Sequence, residues 1–363
     1  MESTYQKKEY YEILRILACA LVIFNHTTGF SLYQKTEGIK QIIYIFLATF
    51  TKINVPLFIM ISGALLLKKS EDISVTLRKR VLRFFILLVA VQALLFFTYK
   101  MRAVYYGNEF EFTLKRFVLG ILNCELPGCR PYWYLYAYLG FLLVLPFMQR
   151  VAHGMKKTEF TVILCCHMLI VAIIPIIDLF SNSLGYGHVV LYERFVIPFA
   201  VLKMFFLPLA GYYIDHYIDI TKLKKKHLFG ITVLGLGGMT ISCLCTYYEG
   251  ITIGQFTENY LSRFMFINAG AVFLWIKYLV CEKQLPLFCA KIKKVLVSVG
   301  ALTFGIYLLD PFLKVFLYKP YATIVKNYIP NIFVSIGWVL TSIILGGICT
   351  YLLKKIPGVA KYI

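Results

Sequence analysis

The chain alternates long apolar runs with short, mostly basic connectors. A helix of about 20 residues crosses a hydrocarbon core. On that ruler apolar runs occur near 12–31, 45–67, 81–99, 131–149, 160–180, 197–214, 228–247, 263–280, 295–317 and 331–353. The pattern predicts an all-α, polytopic membrane protein with about ten transmembrane helices. No polar stretch is long enough for a soluble domain, so one integral-membrane domain is expected to fill residues 1–363. The segment FTLKRFVLGILNC, residues 112–124, is too short to span and too apolar for an ordinary loop. An interfacial or re-entrant helix suits it.

Composition agrees with the pattern. The chain is 60% hydrophobic and 15% charged, with a mean hydropathy of +0.73, whereas soluble domains sit near 45–50% apolar and about 25% charged. The first apolar run follows Lys7 and Lys8 and no small-x-small cleavage site ends it, so it is expected to be a retained helix and not a signal peptide.

Charge sets the orientation. With an even number of spans both termini share a side. That side would hold Lys7 and Lys8, the segment KKSEDISVTLRKR, Lys156 and Lys157, the run KLKKK, Lys291, Lys293 and Lys294, and Lys354 and Lys355. Roughly 22 Lys and Arg fall there against roughly 11 opposite, and the positive-inside rule makes that side cytoplasmic. The same rule accounts for the formal charge of +20. The basic residues lie in short clusters and not on one face, which argues against nucleic acid as a partner.

The ten cysteines sit mostly inside apolar runs, where they act as small hydrophobes, and none shows zinc-type spacing. Cys124 and Cys129, in NCELPGCR, flank a Pro-Gly turn. They are compatible with a disulfide, if that loop faces an oxidising compartment, and equally with two free thiols. No clustered ligand set suggests a metal. No Walker A loop, GxGxxG, HExxH or GxSxG occurs.

Candidate chemistry rests on ionisable residues inside apolar runs. In EILRILACALVIFNHT, Arg15 and His26 are eleven positions apart, which at 100° per residue is three turns plus about 20°, so both lie on one face. The helical rise separates them by roughly 16 Å, with Cys19 and Val22 between. Arg15 then sits near the cytoplasmic interface, where snorkelling, helped by Glu12, also explains it. His26 lies past mid-depth. An intramembrane His is a functional candidate by default and suits general-base work, with a hydrogen-bonded structural role as the alternative.

Further along, NVPLFIMISG contains Pro56, whose missing N–H breaks one backbone bond, and the small residues Ser62, Gly63 and Ala64, which let another helix approach. TLRKRVLRFF carries Arg80 and Arg83 one turn apart, either topological anchors or a phosphate-holding pair. RPYWYLYAYL places Tyr132, Trp133, Tyr134 and Tyr136 at the entry of a span, as an interfacial belt or the mouth of a sugar site. Asp310 in GIYLLDPF is an acid at depth that needs a partner. His167 and Asp178 read as structural or interfacial.

Taken in order, R-x10-H in the first run, VPLFIMISG, RxxR, PYWYLYAYL and GIYLL resemble the acyltransferase-3 family of multi-spanning membrane acyltransferases, over about residues 10–355. The resemblance implies transfer of an acyl group, often acetyl, from a cytoplasmic acyl-CoA to a hydroxyl of an envelope saccharide or glycolipid, in a bacterial cytoplasmic membrane. It implies His26 as the catalytic His, with Arg15 in the same motif, and Arg80 and Arg83 as binders of the donor's phosphates. Trp133 would align with an aromatic position near the site, with Tyr136 and Asp310 as further substrate contacts. Many members read GIYLIH where this chain reads GIYLLD, so Asp310 stands at the usual His position and is open to pairing with Arg15 or His26. The partners expected are membrane lipid, acyl-CoA as co-substrate with no permanently bound cofactor, and the saccharide acceptor. His26 would act as general base or carry the acyl group transiently, the former being favoured. The rival is a transporter or flippase of a lipid-linked saccharide, with Arg15 and His26 lining its path.

Overall fold

The computed structural model describes residues 2–110, 112–189, 205–282, 290–326, 328 and 331–362, and among residues 2–8 and at 290 and 291 the backbone only. Among them every regular element is helical. The helices are α1 (Glu2–Asn25), α2 (Gly38–Thr51), α3 (Asn54–Leu66), α4 (Ile73–Thr76), α5 (Leu82–Tyr105) and α6 (Leu114–Asn123). They continue with α7 (Trp133–Gly154), α8 (Lys157–Met168), α9 (Ile174–Ser183), α10 (Phe206–His216) and α11 (Lys225–Ile253). The last are α12 (Met265–Cys281), α13 (Ala290–Gly300), α14 (Thr303–Leu313), α15 (Lys319–Lys326) and α16 (Asn331–Leu353).

Six helical stretches among the described residues are long and apolar enough to cross a membrane, with Gly38–Leu66, Ile73–Tyr105 and Lys157–Ser183 each one stretch. The broken pair Ile292–Gly300 and Thr303–Lys326 makes a seventh if counted as one. The remaining three apolar runs correspond to shorter or more polar helices. Only the part of α1 after Arg15 is continuously apolar. The described part of the 197–214 run is α10, its earlier residues lying outside the described ones. Helix α12 has 17 residues.

Several runs are interrupted in ways hydropathy does not register. The 45–67 run breaks at Lys52 and Ile53 into α2 and α3. Pro56 therefore lies in the first turn of α3, where an absent N–H leaves no helical bond unmade. It starts a helix and breaks no backbone bond within one, contrary to the expectation. Residues 77–81, 169–173 and 314–318 form π turns, one residue wider than an α turn.

The chain divides into two compact units, each built from two separated parts. The first comprises residues 1–70 and 147–300. Its helix α1 packs on α3, α12 and α13, burying Tyr10, Leu14, Ala18, Cys19 and Ile23. Some buried polar groups of this unit pair closely. Lys277 Nζ donates to the carbonyls of Ile214 (2.8 Å), Asp215 (3.1 Å) and Ile218 (3.3 Å), closing the C-terminal end of α10. The Tyr10 hydroxyl donates to the Asp215 carboxylate. Helices α3 and α10 cross with their backbones in contact, since a Cβ on Gly63 would lie 2.1 Å from the Pro208 carbonyl oxygen, and one on Gly211 1.9 Å from that of Met60. The small residues of VPLFIMISG thus serve close helix approach, as expected.

The second unit comprises residues 71–146 and 301–363. In it α14 packs on α16 and α5. Residues 112–124 form the expected short helix. Thr113 caps α6 by accepting from Arg116 N–H, and Cys124 ends it in the left-handed region at φ 58°. One face of α6 packs Phe117 against Phe96 and Phe112, while Leu114, Val118, Leu119 and Leu122 stay exposed. A ten-residue helix with an apolar outer face suits a membrane interface.

Candidate functional site

Helix α1 stops at Asn25, and His26 is the first residue past it. The expectation of a helix running to residue 31 is corrected here. The cause is local: the Thr27 hydroxyl donates to the Phe24 carbonyl (2.7 Å), and Gly29 N–H donates to the Thr27 hydroxyl (3.2 Å), turning the chain away. The His26 N–H closes the last turn on Val22 (3.2 Å) and Ile23 (3.1 Å), and its half-buried side chain stands at the helix end. The buried Asn25 Oδ1 has no hydrogen-bond partner among the described residues. The apolar run continues to residue 31, so neither the helix end nor Asn25 stood out in the sequence.

Three turns earlier, Arg15 Nη1 donates to Glu12 Oε1 at 2.5 Å, and the Arg15 side chain is 30% exposed. The expected help from Glu12 is present. Cys19 and Val22 are buried along the same helix.

The second unit holds the other predicted site residues. Arg80 lies in the π turn Leu77–Val81, and its Nε and Nη2 donate to Glu71 Oε2 (2.6 Å) and Oε1 (2.5 Å). This is a bidentate fork, the strong form of an arginine–carboxylate pair. Arg83 is exposed, as are Arg78 and Lys79. Arg80 and Arg83 are thus not equivalent. Glu71 went unremarked in the sequence, although it is the first of only two acids in KKSEDISVTLRKR.

Of the aromatic entry, Trp133 is 45% exposed at the start of α7. Tyr136 donates to the Ile121 carbonyl and accepts from Gln92 Nε2 (2.6 Å), so it ties α6 and α5 to α7. Tyr132, expected in an interfacial belt or at the mouth of a sugar site, is fully buried, and its hydroxyl donates to the Leu308 carbonyl (2.7 Å). Tyr307 reciprocates by donating to the Pro131 carbonyl (2.8 Å). The two rings meet edge to face with centroids 6.2 Å apart. Asp310 is fully buried and accepts from the Ser342 hydroxyl on α16 (2.8 Å).

His167 is buried against the rings of Phe206 and Phe266, as a structural residue. Asp178, midway along α9, accepts from Val189 N–H (2.7 Å). Cys124 and Cys129 are free thiols.

The profile of a family described as Acyltransferase domain, the acyltransferase-3 family, matches residues 8–354. The chain belongs to the acyltransferase-3 family. No curated protein and no solved structure matches it at the significance required. Membership makes the protein a multi-pass membrane acyltransferase by family. Within it, two motifs that are far apart in this acyltransferase's sequence, PYWYLYAYL and GIYLL, are joined in the second unit by the reciprocal Tyr132 and Tyr307 bonds.

Proposed function

We propose that the protein is a membrane O-acyltransferase, with acetyl as the group transferred. It takes the acyl group from acyl-CoA on the cytoplasmic side and delivers it to a hydroxyl of a cell-envelope saccharide or glycolipid. The observation that carries this is the family match over nearly the whole chain. His26 acts as general base: it removes the acceptor's proton as the hydroxyl oxygen bonds to the thioester carbonyl carbon. The C–S bond then breaks, and the proton leaves with the CoA thiolate as free CoA. The half-buried setting of His26 at the end of α1 supports this role. Arg15, held by Glu12, shares the motif. Arg80 and Arg83 bind donor phosphates from the cytoplasmic side, supported by the cations exposed there. Trp133, Tyr136 and Asp310 are assigned to the acceptor's surroundings, the latter two through their hold on α6 and α16. Ten crossings with both termini cytoplasmic, in a bacterial cytoplasmic membrane, complete the reading.

The test is transfer of labelled acetyl from acetyl-CoA into envelope glycan by membranes containing the protein. The His26→Ala variant is expected to lose transfer by about 100-fold or more, the scale of a lost general base, at unchanged protein level. Undiminished transfer in that variant removes His26 from the chemistry.

A further inference from the structure

The Arg80 fork is already filled. Glu71 takes its Nε and Nη2 donors together, with side chains 28% and 16% exposed for arginine and glutamate. That edge of the guanidinium also matches a phosphate, because carboxylate and phosphate present the same pair of oxygens. A donor phosphate and Glu71 therefore cannot both hold it.

Two further features bear on what the pair does. Arg80 sits in a π turn, a geometry that is rare and recurs at functional sites. Around it, Arg78, Lys79 and Arg83 are exposed cations, so a displaced Glu71 carboxylate has other positive charges to turn to. Both side chains keep some exposure, so solvent and a charged ligand can reach the pair. A polyphosphate ligand with several charges can displace such a pair.

We propose that Glu71 is a displaceable gate on the donor site: it occupies Arg80 until the phosphates of acyl-CoA arrive, and so sets the donor affinity. This rests on the reading of Arg80 as a donor-phosphate ligand. With the gate closed, the arginine cluster keeps its charge partly neutralised and discriminates against weak, singly charged anions. Opening it exchanges one carboxylate for a phosphate on the same two nitrogens. Glu71 is accordingly a specificity-determining residue and not a catalytic one.

The experiment is equilibrium binding of acetyl-CoA, without acceptor, to the purified full-length protein in nanodiscs. Glu71→Gln removes the competing charge and is expected to tighten binding about three-fold. Glu71→Asp keeps the charge but shortens the reach, and is expected to fall between wild type and Glu71→Gln, providing a second variant if the first does not fold. Arg80→Ala is expected to weaken binding several-fold, and adding Glu71→Gln to it to change nothing more. If Glu71→Gln weakens binding or leaves it unchanged while Arg80→Ala weakens it, the gate is wrong and the donor site stands. If Arg80→Ala binds like wild type, the donor assignment fails, and the gate with it.

Discussion

Burial governs the chemistry of the two cysteines flanking the Pro-Gly turn. Cys129 is fully enclosed, and burial, with Cys124 adding to it, pushes its thiol up to about 12. Cys124, which donates to the Cys129 carbonyl (3.3 Å), is raised by burial too. A thiol raised in the folded state favours folding while neutral. That contribution is complete below the unfolded value of about 8.5 and is lost as pH climbs toward the folded value. Only the thiolate attacks alkylating reagents. Alkylation of Cys129 by iodoacetamide, followed by mass spectrometry, should therefore stay slow in the folded protein from pH 7 to 10 and accelerate sharply on denaturation. Fast alkylation at pH 8 without unfolding contradicts the enclosure. The spacing of the two cysteines was legible in the sequence, but their enclosure comes from residues far along the chain, as Cys129 Sγ meeting the Gln92 carbonyl illustrates. His26 is similar. Its presence at the end of an apolar run was plain, whereas the stop at Asn25 depends on the Thr27 hydroxyl choosing Phe24.

At the scale of elements, the closest approach in the first unit is the crossing of α3 and α10. Because a methyl on Gly63 would meet backbone atoms of Pro208, and one on Gly211 those of Met60, no rotamer change can make room. Overpacking at such a site costs about 1–3 kcal/mol or more. Gly63→Ala and Gly211→Ala should each lower the melting temperature of the detergent-solubilised protein by several degrees. Gly140→Ala, at a helical position with open space around it, should leave it nearly unchanged. A Gly63→Ala melting curve matching wild type would show that the helices are less tightly apposed. The run Ser62-Gly63-Ala64 announced a close contact but not its partner, because hydropathy describes what a segment faces in bulk and not which neighbour it meets. The π turns were illegible for a related reason. One extra residue in a turn leaves the apolar pattern of TLRKRVLRFF intact while turning Arg80 onto Glu71.

At the scale of the whole molecule, hydropathy marked the long apolar stretches but not their grouping into two units from interleaved parts of the chain. It also leaves the crossing number to be decided by three helices and the broken pair. The six long stretches make seven with the broken pair crossing as one, an odd number that puts the termini on opposite sides. Adding α1, α10 and α12 as crossings makes ten and returns them to one side. The distribution of Lys and Arg favours ten, since each connector it would leave in the cytoplasm is basic. Single cysteines in a cysteine-free background decide it with a membrane-impermeant maleimide. For ten crossings, Glu2→Cys, Lys226→Cys and Tyr362→Cys should label only after permeabilisation, and Asn108→Cys in intact cells. Labelling of Glu2→Cys and Tyr362→Cys from opposite sides would mean an odd count, with at least one of those three helices or the broken pair failing to cross. In that event the proposed cytoplasmic position of Arg80 and Arg83, and the donor assigned to them, fall with α1 as a crossing, because their side depends on α1 and Gly38–Leu66 both crossing.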